Sequence, residues 1–182
     1  MSEWQTLQAD SPEAALAAVL DAFQSIYRRY LADDLMLNHQ LPFGMRGWQQ
    51  HDDWYEGILL TPWMLAHVYF PRQPPVEPLA EGWEAESRAV ADYRVIGPLM
   101  DFDIGEERPS AHVNYDPAIG HYLLRPLIQS LAKYRTADEV YAAWDGVLAA
   151  RQAYRRQLEE ERQAKAQEPV SRREFMTRWV RS

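Results

Sequence analysis

Gly57-Ile58-Leu59-Leu60-Thr61-Pro62-Trp63-Met64-Leu65-Ala66-His67-Val68-Tyr69-Phe70-Pro71 is the stretch that decides how this chain folds. It carries no full charge, it is rich in large apolar and aromatic side chains, and it is interrupted by a Thr-Pro-Trp step. Proline cannot donate to a strand ladder and is a poor choice inside a central strand. The residue before it is pushed to extended geometry, so Thr61 is not helical. The step therefore separates two strands, Trp54 to Leu60 and Trp63 to Phe70. On the second, Trp63, Leu65, His67 and Tyr69 face one way, and Met64, Ala66, Val68 and Phe70 the other. Both sets are mostly apolar, which predicts a central strand covered on both sides. A sheet segment this aromatic and this kinked is also expected to turn Trp63 and its neighbours toward a partner.

Upstream, Ser11-Pro12-Glu13 reads as a helix start: Ser as N-cap, Pro in the first turn, an acid at the positive dipole end. Leu16, Val19, Leu20, Phe23, Ile26, Tyr27 and Tyr30 then recur every three or four residues, giving one apolar stripe that ends near Asp33 and Asp34. Pro42 to Gly47 reads as a turn. Downstream, the proline-rich Pro71 to Pro78 is a loop. Further strands are predicted at Glu86 to Val95, Leu99 to Ile104, Ala111 to Tyr115 and His121 to Leu127, punctuated by Gly97-Pro98, Gly105 to Pro109 and Pro117 to Gly120. Successive short strands without intervening helices imply an antiparallel sheet. Thr136 and Glu139 form a capping box, and Val140, Trp144, Val147 and Leu148 are the buried stripe of the helix that follows. From Arg151 to Glu168 the periodicity fades into Arg, Gln, Glu and Lys, as in a helix running out into solvent and held by pairs such as Glu161 and Lys165. The expected architecture is α+β: an antiparallel sheet, an N-terminal helix on one face and a long C-terminal helix. Residues 1–150 form a single domain, and 151–182 a polar helical extension ending in a short amphipathic segment.

Composition narrows the function classes. The chain has 182 residues, a formal charge of -8 and no cysteine. The length suits one domain with a real core. The acidic balance argues against a general nucleic-acid binder, which needs clustered Lys and Arg. Without cysteine there is no disulfide framework, thiolate metal site or cysteine nucleophile. The N-terminus lacks a basic region followed by an apolar one. The uncharged run from 57 to 71 is shorter than the ~20 residues that span a bilayer. The reading is a cytoplasmic protein without membrane insertion, and no cofactor is called for.

Five histidines are present, none in a close helical pair of the metalloprotease kind. His51 beside Asp52 and Asp53 could hold a divalent cation, although a solvated turn explains the trio. Asp101 and Asp103 share a strand face and could divide acid-base work, although an exposed face followed by Glu106 and Glu107 accounts for them more simply. No phosphate loop, nucleophile elbow or triad order stands out, so no catalytic residue and no metal ligand is assigned. At the far end, Ser171-Arg172-Arg173-Glu174-Phe175-Met176 has the form of a twin-arginine export motif. Too few residues follow it to act as one. A capping box from Ser171 to Glu174, with an apolar stripe of Phe175, Met176, Trp179 and Val180, explains most of it.

The block Trp54-Tyr55-Glu56-Gly57-Ile58-Leu59-Leu60-Thr61-Pro62-Trp63-Met64 resembles the most recognisable stretch of the HybE/HupJ family of [NiFe]-hydrogenase assembly chaperones. Pro42 to Trp48 falls where that family has another strand, and members often finish with a similar Ser-Arg-Arg segment. The chain departs from the pattern at Arg125 to Leu131, which keeps only the apolar rhythm, and it has extra length at 105–119 and 151–168, as in a divergent member. The resemblance implies a non-enzymatic helper that binds the precursor of a hydrogenase small or large subunit, or its twin-arginine signal, before export. Trp54, Gly57, Thr61, Pro62, Trp63 and Met64 are then the expected partner-binding residues. Ser171, Arg172, Arg173, Phe175 and Met176 are the expected pseudo-signal that competes with the partner. Two rival readings stand beside this one. One is an interaction module docking through residues 151–168. The other is a small-molecule-binding or hydrolytic sheet domain using His67 or His121 with Asp101 and Asp103.

Overall fold

In the computed structural model, which describes residues 4–167, six strands form one antiparallel sheet. They are β1 (Gly44–His51), β2 (Trp54–Leu60), β3 (Leu65–Pro71), β4 (Leu99–Asp101), β5 (Ser110–Asp116) and β6 (Gly120–Ile128), in the spatial order β1-β2-β3-β6-β5-β4. The helices are α1 (Pro12–Ile26), α2 (Ala85–Ala89) and α3 (Ala137–Gln167). The α+β architecture expected from the sequence is the one observed. Chain contacts divide the molecule into two units, Met1–Tyr141 and Ala142–Ser182, and the boundary between them falls within α3.

The Thr61-Pro62 step closes the β2–β3 hairpin, bringing Leu60 opposite Leu65. The Thr61 amide donates to the Met64 carbonyl at 3.0 Å, and the Thr61 hydroxyl oxygen accepts from the Met64 amide at 3.1 Å. Trp63 and Met64 therefore belong to this turn, and β3 begins at Leu65, two residues later than predicted. The turn frees Trp63 from strand alternation. It joins Ala66, Val68 and Phe70 on the α1 side of the sheet.

On that side, Val19, Phe23 and Ile26 of α1 pack on Tyr55 and Leu59 of β2, Val68 and Phe70 of β3, and Tyr122 and Leu124 of β6. Each large side chain buried here contributes roughly 1.5–3 kcal/mol. The helix starts as read, with the Ala14 amide donating to Ser11 Oγ at 3.1 Å. The opposite face is covered by loops. Trp4, Leu79, Phe102 and Ile104 lie over Trp54, Tyr69, Ala111, Val113 and Leu123. Trp4 is fixed by its indole N–H on the Glu77 carbonyl, 2.8 Å, and the Gln5 amide donates to His121 Nδ1 at 2.8 Å.

Four expectations are corrected. Pro42–Gly47 is not simply a turn, because Gly44–His51 is edge strand β1. Its signal is hidden by a bulge between Arg46 and Gln49, with Gly47 at φ +67°, which breaks the period-two alternation. Glu86–Val95 is not a strand. Ala85–Ala89 is a short helix, as Ala, Glu and Arg favour. Tyr30 is not on the buried stripe but exposed, because Tyr27–Leu31 forms a π-helical turn that rotates it off the α1 face. Val147 and Leu148 are not buried but lie on the exposed part of α3. The capping box of α3 forms in modified register: the Glu139 amide donates to Thr136 Oγ1 at 3.3 Å, while the Glu139 carboxylate accepts from the Arg135 amide at 2.7 Å.

Candidate docking surface

The β1–β2 turn and the loop after β4 meet at one end of the sheet. A Cβ on Gly105 would lie 2.9 Å from His51 Nε2 and 3.3 Å from Asp52 Oδ2, and the residue sits at φ +57°. Glycine thus permits both the backbone conformation and the close approach. The Trp54 indole N–H donates to the Asp103 carbonyl at 3.1 Å and ties the loop to β2. The result concentrates exposed carboxylates: Asp52 and Asp53 from the turn, Asp103, Glu106 and Glu107 from the loop. Arg108 is shared between Asp103, at 2.7 Å, and Glu77, at 3.7 Å. Asp52, Asp53, Glu106 and Glu107 form no ion pair among the described residues.

Beside this acidic end a polar track crosses the sheet. Glu56, buried on β2, accepts from Gln49 Nε2 at 2.9 Å and from His67 Nε2–H at 3.0 Å. His51 Nδ1 lies 3.3 Å from the same carboxylate. Tyr69 O–H donates to His67 Nδ1 at 2.8 Å, which fits the Nε2–H tautomer of a neutral ring. Burial lowers the pKa of His67, partly opposed by Glu56 and reinforced by Arg125. Burial likewise pushes the Tyr69 hydroxyl up to about 12. A Glu-His-Tyr chain is a shape that can relay protons. Here Tyr69 is buried and donates inward, so the network orders the face rather than presenting a nucleophile. Among the described residues no group of three or more His, Asp or Glu could hold a metal ion.

The family described as "[NiFe]-hydrogenase assembly, chaperone, HybE" matches residues 14–178. The chain belongs to the HybE family. Its members are [NiFe]-hydrogenase assembly chaperones, and the match covers most of this chain. The solution structure of HybE from Escherichia coli is similar at 22% identity over 81% of each chain, with a TM-score of 0.49. No curated protein matches. No helix among the described residues is long and apolar enough to cross a membrane.

In this HybE-family chain the signature residues are all buried: Trp54, Gly57, Thr61, Pro62, Trp63 and Met64. Trp63 is 7% exposed. Its ring stacks parallel to Tyr27 at 6.3 Å and meets Phe43 edge-on at 5.9 Å. The block braces loops at both ends of its hairpin. Trp54 holds the acidic loop, and the Pro62 carbonyl accepts from the Asn38 amide at 3.1 Å, fixing the segment after α1. A Cβ on Gly57 would meet Met45 Sδ at 2.7 Å, so this glycine lets β1 side chains lie over β2. Ser171, Arg172, Arg173, Phe175 and Met176 lie outside the described residues.

The residues of the hydrolytic reading are tied to separate partners. Ser110 Oγ donates to Asp101, Asp103 pairs with Arg108, and His121 bridges Gln5 and Trp83. Asp52 and Asp53 form the β1–β2 turn between His51 and Trp54, with Asp52 at φ +52°. In the sequence Asp52-Asp53 reads as a solvated turn or, with His51, a candidate cation site, and Glu106-Glu107 as part of an exposed face. Two acid pairs, each at a turn, were the available signal, and only tertiary structure brings them together.

Proposed function

We propose that this HybE-family chain holds a [NiFe]-hydrogenase subunit precursor before export by docking the basic part of its twin-arginine signal on the acidic end of the sheet. One observation carries the reading: Asp52, Asp53, Glu106 and Glu107, four carboxylates without ion-pair partners among the described residues, lie together at the acidic end beside Glu56. An arginine pair offers forked donors that match carboxylates two at a time. Trp54, Gly57, Thr61, Pro62, Trp63 and Met64 serve this binding as positioning residues, holding the loops that carry the contacts. Arg172 and Arg173, framed by Ser171, Phe175 and Met176, act as an internal competitor for the same acidic end.

The test is the anisotropy of a labelled small-subunit signal peptide titrated with the chain and with Asp52→Lys/Asp53→Lys/Glu106→Lys/Glu107→Lys. The charge-reversed chain is expected to bind at least tenfold more weakly with an unchanged circular dichroism spectrum. A peptide with glutamines for its two arginines should lose the same factor. Equal binding by both chains sinks the assignment of this surface. Capture of the large-subunit precursor, run in parallel, tells the two subunits apart.

A further inference from the structure

The segment between α1 and β1 carries Leu35 and Met36, 93% and 85% exposed. Single exposed apolar residues are ordinary, but these two sit on a turn held from several sides. The Met36 amide donates to Asp34 Oδ1 at 2.9 Å, the Leu37 amide to the Asp34 carbonyl at 3.2 Å, and the Asn38 amide to the Pro62 carbonyl. His39 Nε2 lies 2.8 Å from the Asp34 carbonyl, and its Nδ1 lies 2.6 Å from Tyr27 Oη. The turn is ordered before any partner arrives, so little entropy is lost on binding. Asp33 and Asp34 precede the apolar pair and form no ion pair among the described residues.

Immediately beside this knob is a cleft of about 530 Å³, lined by Leu37 to Gln40 on one side and Ala132 to Arg135 on the other. Asn38 Nδ2 donates to the carbonyls of Leu131 and Tyr134, at 3.0 and 2.7 Å, and fixes the two walls. The volume falls within the roughly 300–1,000 Å³ of clefts that accept ligand-sized groups. Lys133 and Arg135 are exposed at its wall and form no ion pair among the described residues.

The geometry points to a second copy of this chain as the occupant: Leu35 and Met36 of one protomer enter the 37–40/132–135 cleft of the other, and the reverse. The knob carries two negative charges and the cleft wall two positive ones. They adjoin on one surface, so a two-fold axis beside them makes both contacts at once. A different partner would need its own acid-flanked knob or basic cleft to match either half. The contact is small beside the ~1,600 Å² of a standard interface, so the dimer is expected to dissociate in the micromolar range.

Sedimentation equilibrium of the full chain tests this. Wild type is expected to dimerise reversibly, and Leu35→Ser/Met36→Ser to weaken the dimer at least tenfold. Asp33→Lys/Asp34→Asn leaves an acceptor for the Met36 amide but makes the knob positive, and Lys133→Glu/Arg135→Glu makes the cleft negative. Each variant alone should be monomeric, and an equimolar mixture should recover a dimer containing one of each. A wild-type chain that stays monomeric up to about 1 mM overturns the proposal. So does a mixture that fails to associate. A monomer whose Leu35→Ser/Met36→Ser variant loses precursor capture would assign the knob to the precursor, also against the proposal. Retention of signal-peptide binding by all three variants keeps this result separate from the acidic-end reading.

Discussion

His67 and His121 are each held as a neutral ring by burial, which lowers both below the usual imidazole value. His121 accepts from the Gln5 amide through Nδ1 and donates through Nε2 to the Trp83 carbonyl at 2.9 Å. Protonation removes the first of these bonds. In the unfolded chain both rings titrate near 6.5, so on acidification the unfolded state takes up protons first. Stability is therefore lost as pH falls from about 6.5 through the lowered folded values, by at most about 1.4 kcal/mol per pH unit for each ring. Urea unfolding between pH 7 and 5 should show a falling midpoint, with a shallower fall in His67→Gln/His121→Gln. A midpoint that rises on acidification would contradict this. The sequence offers both histidines only as candidates for a hydrolytic site, because its faint signals, alternation on β3 and a polar residue beside Gly120, name no partners. Trp63 shows the same limit from the other side. Its position in the Thr-Pro-Trp step is legible in the sequence, but its burial depends on Tyr27 and Phe43 arriving from elsewhere in the chain.

Secondary elements were legible where a local rule and the tertiary demand agree. The start of α1 follows from Ser11-Pro12, β2 was bounded correctly by Trp54 and Leu60, and the start of α3 follows from Thr136. Two of the misses fall where one inserted residue shifts the phase: the bulge in β1 and the π turn after α1. The side chains of residues 151–166 are all exposed. A helix polar all round holds itself by pairs such as Gln157 and Glu161, 3.1 Å apart. We expect a chain ending at residue 150 to unfold within the roughly 2–4 °C that 1 kcal/mol represents at this size. We also expect it to bind the signal peptide no more weakly than the full chain. A loss of binding there would favour the rival in which residues 151–168 carry the contact.

Charge is divided unevenly over the whole molecule. Residues 1–141 hold 21 acidic and 10 basic side chains, while 142–182 hold six acidic and nine basic. A negative field of this kind speeds the arrival of a cationic segment and is screened by salt beyond about 8 Å at physiological ionic strength. Deleting residues 170–182 removes Arg172, Arg173, Arg178 and Arg181, so signal-peptide affinity should rise for two different reasons. The chain becomes more negative, and the internal competitor is gone. Arg172→Lys/Arg173→Lys separates them, because it preserves charge and removes the forked guanidinium geometry. If the segment competes as a pseudo-signal, the twin-lysine chain should bind the labelled peptide several-fold more tightly than wild type, approaching the chain ending at 169 in high salt. If only the field matters, twin-lysine and wild-type chains should bind alike, and the advantage of the truncated chain should vanish as salt is added. Equal affinity of the full and truncated chains at low salt would rule out both.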